Sequence, residues 1–149
     1  MRLFILASVV ACASACNKST SPPPIAPIPP PSVAEVEMNI NVTTQVDAGR
    51  LVTFITTAPC DSEGAGKGKL GLAEARLGAP TFMEVFVPQG TRGYVCAAAL
   101  DAAGNLVGLG AAEHNPLNLS GEGEVTFRPA IRILPLPAAR PPPQGLLVR

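Results

Sequence analysis

Apolar and polar residues alternate most strictly near the start of the chain's central region. Val36, Met38, Ile40 and Val42 are interleaved with Glu35, Glu37, Asn39, Asn41 and Thr43. A period of two predicts a strand with one buried face and one wetted face. Asp47-Ala48-Gly49 supplies a turn, and LVTFITT (51–57), rich in β-branched residues, predicts a second strand. APCDSEGAGKGK (58–69) reads as a Gly-rich loop. KLGLAEARLG (69–78) fits either a short strand or one helical turn. TFMEVFV (81–87) predicts a strand that stops at Pro88, and RGYVCAAAL (92–100) another, with Tyr94, Cys96, Ala98 and Leu100 on one side. DAAGN (101–105) is a hairpin turn, because Gly104 and Asn105 tolerate positive φ. LVGLGA (106–111) returns, and EVTFRPAIRIL (124–134) forms a last strand bent at Pro129.

About seven short strands with frequent turns predict an all-β fold, a single antiparallel β-sandwich of immunoglobulin-like or transthyretin-like type. The chain has no Trp, so the buried tryptophan of antibody domains is absent.

Proline placement sets the limits of that domain. Of 17 prolines, seven fall in 22–31 and five in 135–143. Pro fixes φ and has no N–H to donate, which argues against a core helix or central strand in either stretch. The expected organisation is a leader at 1–15, a Pro-rich tether at 16–32, a β domain at 33–134 and a Pro-rich tail at 135–149 that is disordered or, alternatively, lies along the domain. A tether of polyproline II type, at about 3.1 Å per residue, reaches roughly 45 Å. The mean hydropathy of +0.31 argues against a chain disordered throughout. The formal net charge of zero argues against a strongly cationic nucleic-acid binder.

The leader is MRLFILASVVACASAC. Arg2 precedes an uncharged run of 13 residues, Leu3 to Ala15. A membrane-spanning helix needs roughly 20, whereas this length suits the apolar region of a secretory signal peptide. Small residues Ala13, Ser14 and Ala15 precede Cys16, and polar NKSTS follows. In these residues the chain resembles a bacterial lipoprotein precursor. The resemblance implies cleavage before Cys16, diacylglycerol on its thiol and acylation of the new amine. Ala13 stands where the family usually has Leu. Val9-Val10-Ala11-Cys12 matches the preferred residue types better, but it leaves a signal of only 11 residues. A signal peptide without lipidation is the remaining alternative. Two or more acyl chains would give stable anchoring without a spanning segment. Asn17, in place of the Asp that commonly favours inner-membrane retention, is compatible with outer-membrane sorting. The stretch VPQGTRGYVCAAALDAAGNLVGLGA (87–111) is also similar to a hairpin of β-sandwich domains in bacterial lipoproteins.

That reading governs the cysteines. With Cys12 removed in the leader and Cys16 lipidated, Cys60 and Cys96 remain of the four. An even pair in an oxidising compartment is expected to form a disulfide; two buried thiols are the alternative.

The chain carries little that resembles catalytic or cofactor chemistry. The sole histidine, His114, lies in AEHNPLN, and no G-x-S-x-G elbow accompanies it. GAGKGKL (64–70) lacks phosphate-loop spacing, since Leu70 follows Lys69 where Ser or Thr is required. Glu35 and Glu37 share a strand face, an ordinary arrangement on a wet surface. Asp61 and Glu63 offer at most weak calcium ligation, without an EF-hand loop. Two distant cysteines and one histidine do not make a zinc site. The domain at 33–134 holds all eleven acids and seven bases, and Lys67 and Lys69 read as solubilising charges in its Gly-rich loop. Asn17, Asn41 and Asn118 each open an N-x-[ST] sequon, which matters only in a eukaryotic secretory pathway.

The expected function is a non-catalytic binding or scaffolding module of the bacterial cell envelope, held at the membrane by its lipid and sorted to the outer membrane. No catalytic residue, cofactor, metal or nucleic-acid partner is expected. The partner is an envelope protein or a glycan, met through the loops 58–69 and 112–122 or through an edge strand. A small envelope enzyme and a soluble secreted binding domain are the alternatives. An enzyme would need a cleft that gathers polar groups such as His114, Asp61 and Glu63.

Overall fold

The computed structural model describes residues 25–28, 32–119 and 125–146. These form nine strands and, among the described residues, no helix: β1 (Val33–Thr44), β2 (Arg50–Thr56), β3 (Lys69–Ala75), β4 (Thr81–Pro88), β5 (Arg92–Leu100), β6 (Leu106–Ala111), β7 (Leu117–Asn118), β8 (Val125–Phe127) and β9 (Ala130–Arg140). The all-β expectation holds. The alternating segment at 35–43 is β1, and its apolar members are all buried.

The strands make one sheet in the order β3-β2-β5-β6-β9-β1-β4, with β7 beside β5 and β8 beside β1. Most pairs are antiparallel, but β1 runs parallel to both β8 and β9. The sheet is therefore mixed, which corrects the expectation of a purely antiparallel one. The cause lies in β9. Its first residues, Ala130–Ile133, pair with β1, whereas its later residues pair with β6. One long strand thus joins the β4–β1 side to the β3–β2–β5–β6 side. At the other end the sheet curls until β3 and β4 touch, so it nearly closes into a barrel. Gly71 of β3 leaves room there for Val85 and Met83 of β4.

The core fills the inside of this curl. β1 contributes Ala34, Val36, Met38, Ile40 and Val42, and β4 contributes Met83, Val85 and Val87. Ile55, Val95, Ala97, Ile131 and Ile133 complete it from the other strands. β2 and β5 are buried on their outer faces as well. Val52, Phe54, Cys96, Ala98 and Leu100 form a second cluster there with Cys60, Ala65, Leu106 and Leu146. Burying a side chain such as Phe54 contributes about 1.5–3 kcal/mol. This is why LVTFITT and RGYVCAAAL read as near-continuous apolar runs and not as alternating ones.

One open alternative is settled and two local expectations change. Residues 69–75 form the strand and not the helical turn. The last strand is broken at Arg128 and Pro129 into β8 and β9. The proposed disordered tail from 135 is instead ordered through 146: residues 135–140 belong to β9, and Leu146 is buried. Beyond Leu134, β9 bonds to β6 and has left β1, so Pro135 and Pro137 sit on a strand with an open edge. A missing N–H is tolerated there.

Candidate binding groove

The outer cluster is covered by two segments that meet each other. The first is the loop 57–68. Its chain is folded by backbone bonds from Ser62 to Pro59, Ala65 to Ser62 and Gly68 to Gly64, and its ends close through Thr57 N to Gly68 O at 2.9 Å. Thr56 secures it from below. The buried Thr56 hydroxyl donates to Ala65 O at 2.7 Å and accepts from Ala58 N at 3.2 Å. A Cys60–Cys96 disulfide fastens the loop to β5, as the cysteine count predicts.

The second segment is the strap 141–146. Leu146 enters the outer cluster, and Lys69 Nζ donates to Gly145 O at 2.7 Å. Gly66 lies directly under the strap. Any side chain at Gly66 would overlap the Gln144 carbonyl, so the close approach of the two segments depends on glycine there.

Between loop and strap runs an open groove of about 510 Å³. Asp61, Ser62, Glu63 and Lys67 line one side, and Arg140, Pro141–Pro143 and Gln144 the other. An adjoining apolar pocket of about 370 Å³ lies beneath Pro59, Cys60 and Asp61, against Tyr94, Leu109 and Asn115. Asp61 borders both. The combined site offers two carboxylates, two cations, prolyl faces and one tyrosine. Such a surface suits an extended polar ligand held by hydrogen bonds and ring stacking. The Ser62 hydroxyl already donates to Pro59 O at 2.7 Å.

The structure brings together only part of the set named from sequence. Asp61, Glu63 and Lys67 share the groove, whereas His114 lines neither cavity. Lys69 is committed to the strap. Glu35 and Glu37 lie on β1, away from the groove. Asn41 is exposed on β1, and Asn118 lies in β7. Cys12, Cys16 and Asn17 fall outside the described residues, as do 120–122 of the second proposed contact loop. Among the described residues no group of His, Cys, Asp and Glu is placed to hold a metal, and no helix is long and apolar enough to cross a membrane.

The Asp101 carboxylate, in the β5–β6 turn, is held below its ordinary range. The Asn105 side chain bonds to it at 3.0 Å, and the Asn105 and Ala103 amides donate at 2.8 and 2.9 Å. This is a turn-stabilising role, away from the groove.

Sequence reasoning placed contacts in 58–69 but missed the facing wall at 140–144. The signal was the apolar run Leu146-Leu147-Val148 that follows Pro141–Pro143: apolar residues at the end of a Pro-rich stretch have reason to dock. No protein-family model, curated protein or solved structure matches this chain.

Proposed function

We propose that this chain is an exported lipoprotein of the bacterial cell envelope, anchored through lipid on Cys16, whose β domain is a non-catalytic binding or scaffolding module. The groove between the 57–68 loop and the 141–146 strap holds the partner, an envelope protein or a glycan. The observation that carries this reading is the Cys60–Cys96 disulfide. It joins the two cysteines left once a lipobox cysteine and its leader are accounted for, and such bonds persist in oxidising compartments.

The fold reading goes with it. Taking β4-β1-β9 and β3-β2-β5-β6 as two facing layers makes the domain an immunoglobulin-like or transthyretin-like sandwich, with β9 crossing between layers. Strands that switch sheets at such corners are known in packed β architectures. Asn17 is compatible with the outer membrane as the site of anchoring.

The experiment is detergent phase partitioning of the native protein followed by intact mass, with and without reduction and alkylation. The expected species is in the detergent phase, begins at Cys16 and is heavier by two or three acyl chains. Its Cys60 and Cys96 alkylate only after reduction. Cys16→Ser is expected to abolish the acyl mass. An aqueous species with an unmodified N-terminus overturns the anchor and leaves a soluble secreted binding domain.

A further inference from the structure

The pocket beneath Pro59, Cys60 and Asp61 and the groove beside it make opposite electrostatic demands. Pro59, Leu109, Gly110 and Ala111 give the pocket apolar walls. The Asn115 amide on its lining is already spent. Its Oδ1 accepts from the Val95 N–H, and its Nδ2 donates to the Val95 carbonyl and to Cys60 Sγ, the latter at 3.7 Å. The side-chain polar groups left for a ligand are the Tyr94 hydroxyl and the Asp61 carboxylate, and Asp61 is the pocket's one charged residue. Among the described residues no hydrogen bond or ion pair engages that carboxylate. An apolar recess with a single free carboxylate suits a cation on an alkyl stem. The methylenes lie along the walls, the charge meets Asp61, and the tyrosine ring is available for cation–π contact.

The groove asks for an anion as well. The Ser62 hydroxyl has given its hydrogen to Pro59 O, and Pro141–Pro143 have no N–H to offer. Its free side-chain donors are therefore Lys67, Arg140 and Gln144. Lys67 and Arg140 border the groove and not the pocket. The one ion pair among the described residues, Arg50–Glu74, lies elsewhere, so the groove's own charges do not neutralise one another. A neutral glycan would cover those charges without pairing them, which is costly. The groove also holds no aromatic ring on which a sugar could stack. A polyanion would run against Asp61 and Glu63.

We infer that the site selects a polypeptide. A lysyl or arginyl side chain of the partner enters the pocket against Asp61, and a carboxylate close to it in sequence is held by Lys67 and Arg140. This rests on the groove being the partner site, and it chooses between the two classes of partner proposed there.

The test is a titration of the ¹⁵N-labelled full chain in detergent with the peptides acetyl-Gly-Xaa-Gly-Glu-Gly-amide, where Xaa is lysine, arginine or norleucine. Both basic peptides are expected to shift the amides of Asp61, Tyr94 and Ala111 saturably. Norleucine keeps the stem without the charge, and should bind at least about tenfold more weakly. Asp61→Asn should remove that preference while leaving amides outside the 57–68 loop in place. In Lys67→Gln/Arg140→Gln, exchanging the peptide's glutamate for glutamine should no longer weaken binding. No saturable shift with either basic peptide up to about 10 mM overturns the inference. So does a norleucine peptide that binds as well as the lysine one, or an Asp61→Asn chain that keeps the preference. Chitotriose serves as the glycan probe. Shifts of the same amides with chitotriose, and none with the basic peptides, would overturn the polypeptide and leave the groove as a binding site. The lipid anchor is read separately by phase partitioning, so its failure is not confused with this one.

Discussion

Asn115 holds both backbone groups of Val95 with one side chain. Its Oδ1 accepts the Val95 N–H at 3.0 Å, and its Nδ2 donates to the Val95 carbonyl at 2.9 Å. β6 pairs with β5 from Leu100 down to Cys96, and β7 pairs with it at Gly93 and Arg92. The amide fills the gap between them, a side chain standing in for one residue of strand.

Removing that amide leaves a fully buried N–H without its acceptor. Asn115→Ala is expected to destabilise the domain by about 1–3 kcal/mol, the cost of an unsatisfied buried donor. Asn115→Asp retains the acceptor for Val95 N–H but loses the donor, and should recover part of the loss. The check is the urea midpoint at an unchanged m-value. A midpoint equal to wild type for Asn115→Ala would refute the role.

The disulfide closes a loop across a sequence separation of 36 residues. In the chain-entropy model this contributes about 3–4 kcal/mol. Guanidinium unfolding with and without reductant should show a loss of that order. Amides of the 57–68 loop should also lose hydrogen-exchange protection before those of β1 and β4, since the loop covers only the outer cluster. Uniform loss across the domain would contradict that ordering.

Asp101 gives a pH signature with a definite sign. Its folded-state pKa lies below the ordinary aspartate value, first because of the Asn105 side-chain bond and then the Asn105 backbone bond. A depressed carboxylate stabilises the fold above the unfolded pKa, and that contribution disappears as pH falls through the folded one. Asp101→Asn should therefore melt lower than wild type at pH 7, with the gap closing below about pH 3.8. A gap that is constant down to about pH 2 would show that the charge is not what holds the turn.

β1 was legible because one face is core and the other water, which writes a period of two directly into 35–43. The 101–105 turn was legible because Asp101 and Gly104 have few other uses in that spacing, and Gly104 does adopt a φ of 86°. The parallel partnership of β1 and β9 was not legible. Strand composition reports burial and says nothing about the direction of a neighbour about 90 residues away. Pro135 and Pro137 were misread for a related reason: proline excludes a strand only where its N–H must be bonded, and whether it must depends on neighbours. The groove was half legible. Glycine and polar residues marked the 58–69 loop, but its opposite wall comes from 140–144 and is assembled only by tertiary structure.

The position of β1 between β4 and β9 also fixes an order in time. Synthesis and any passage through a membrane deliver residues from the N-terminus onward. The strand at Val33–Thr44 is thus the first of the sheet to emerge, yet one of its neighbours begins only at Ala130. Until the residues from Ala130 onward arrive, β1 at 41–44 has no strand to bind. Closure at so large a sequence separation makes folding slow, and a waiting edge is open to strands of other chains. The domain can reach its final form only after β9 has been delivered, so its first strand is also among the last to be completed.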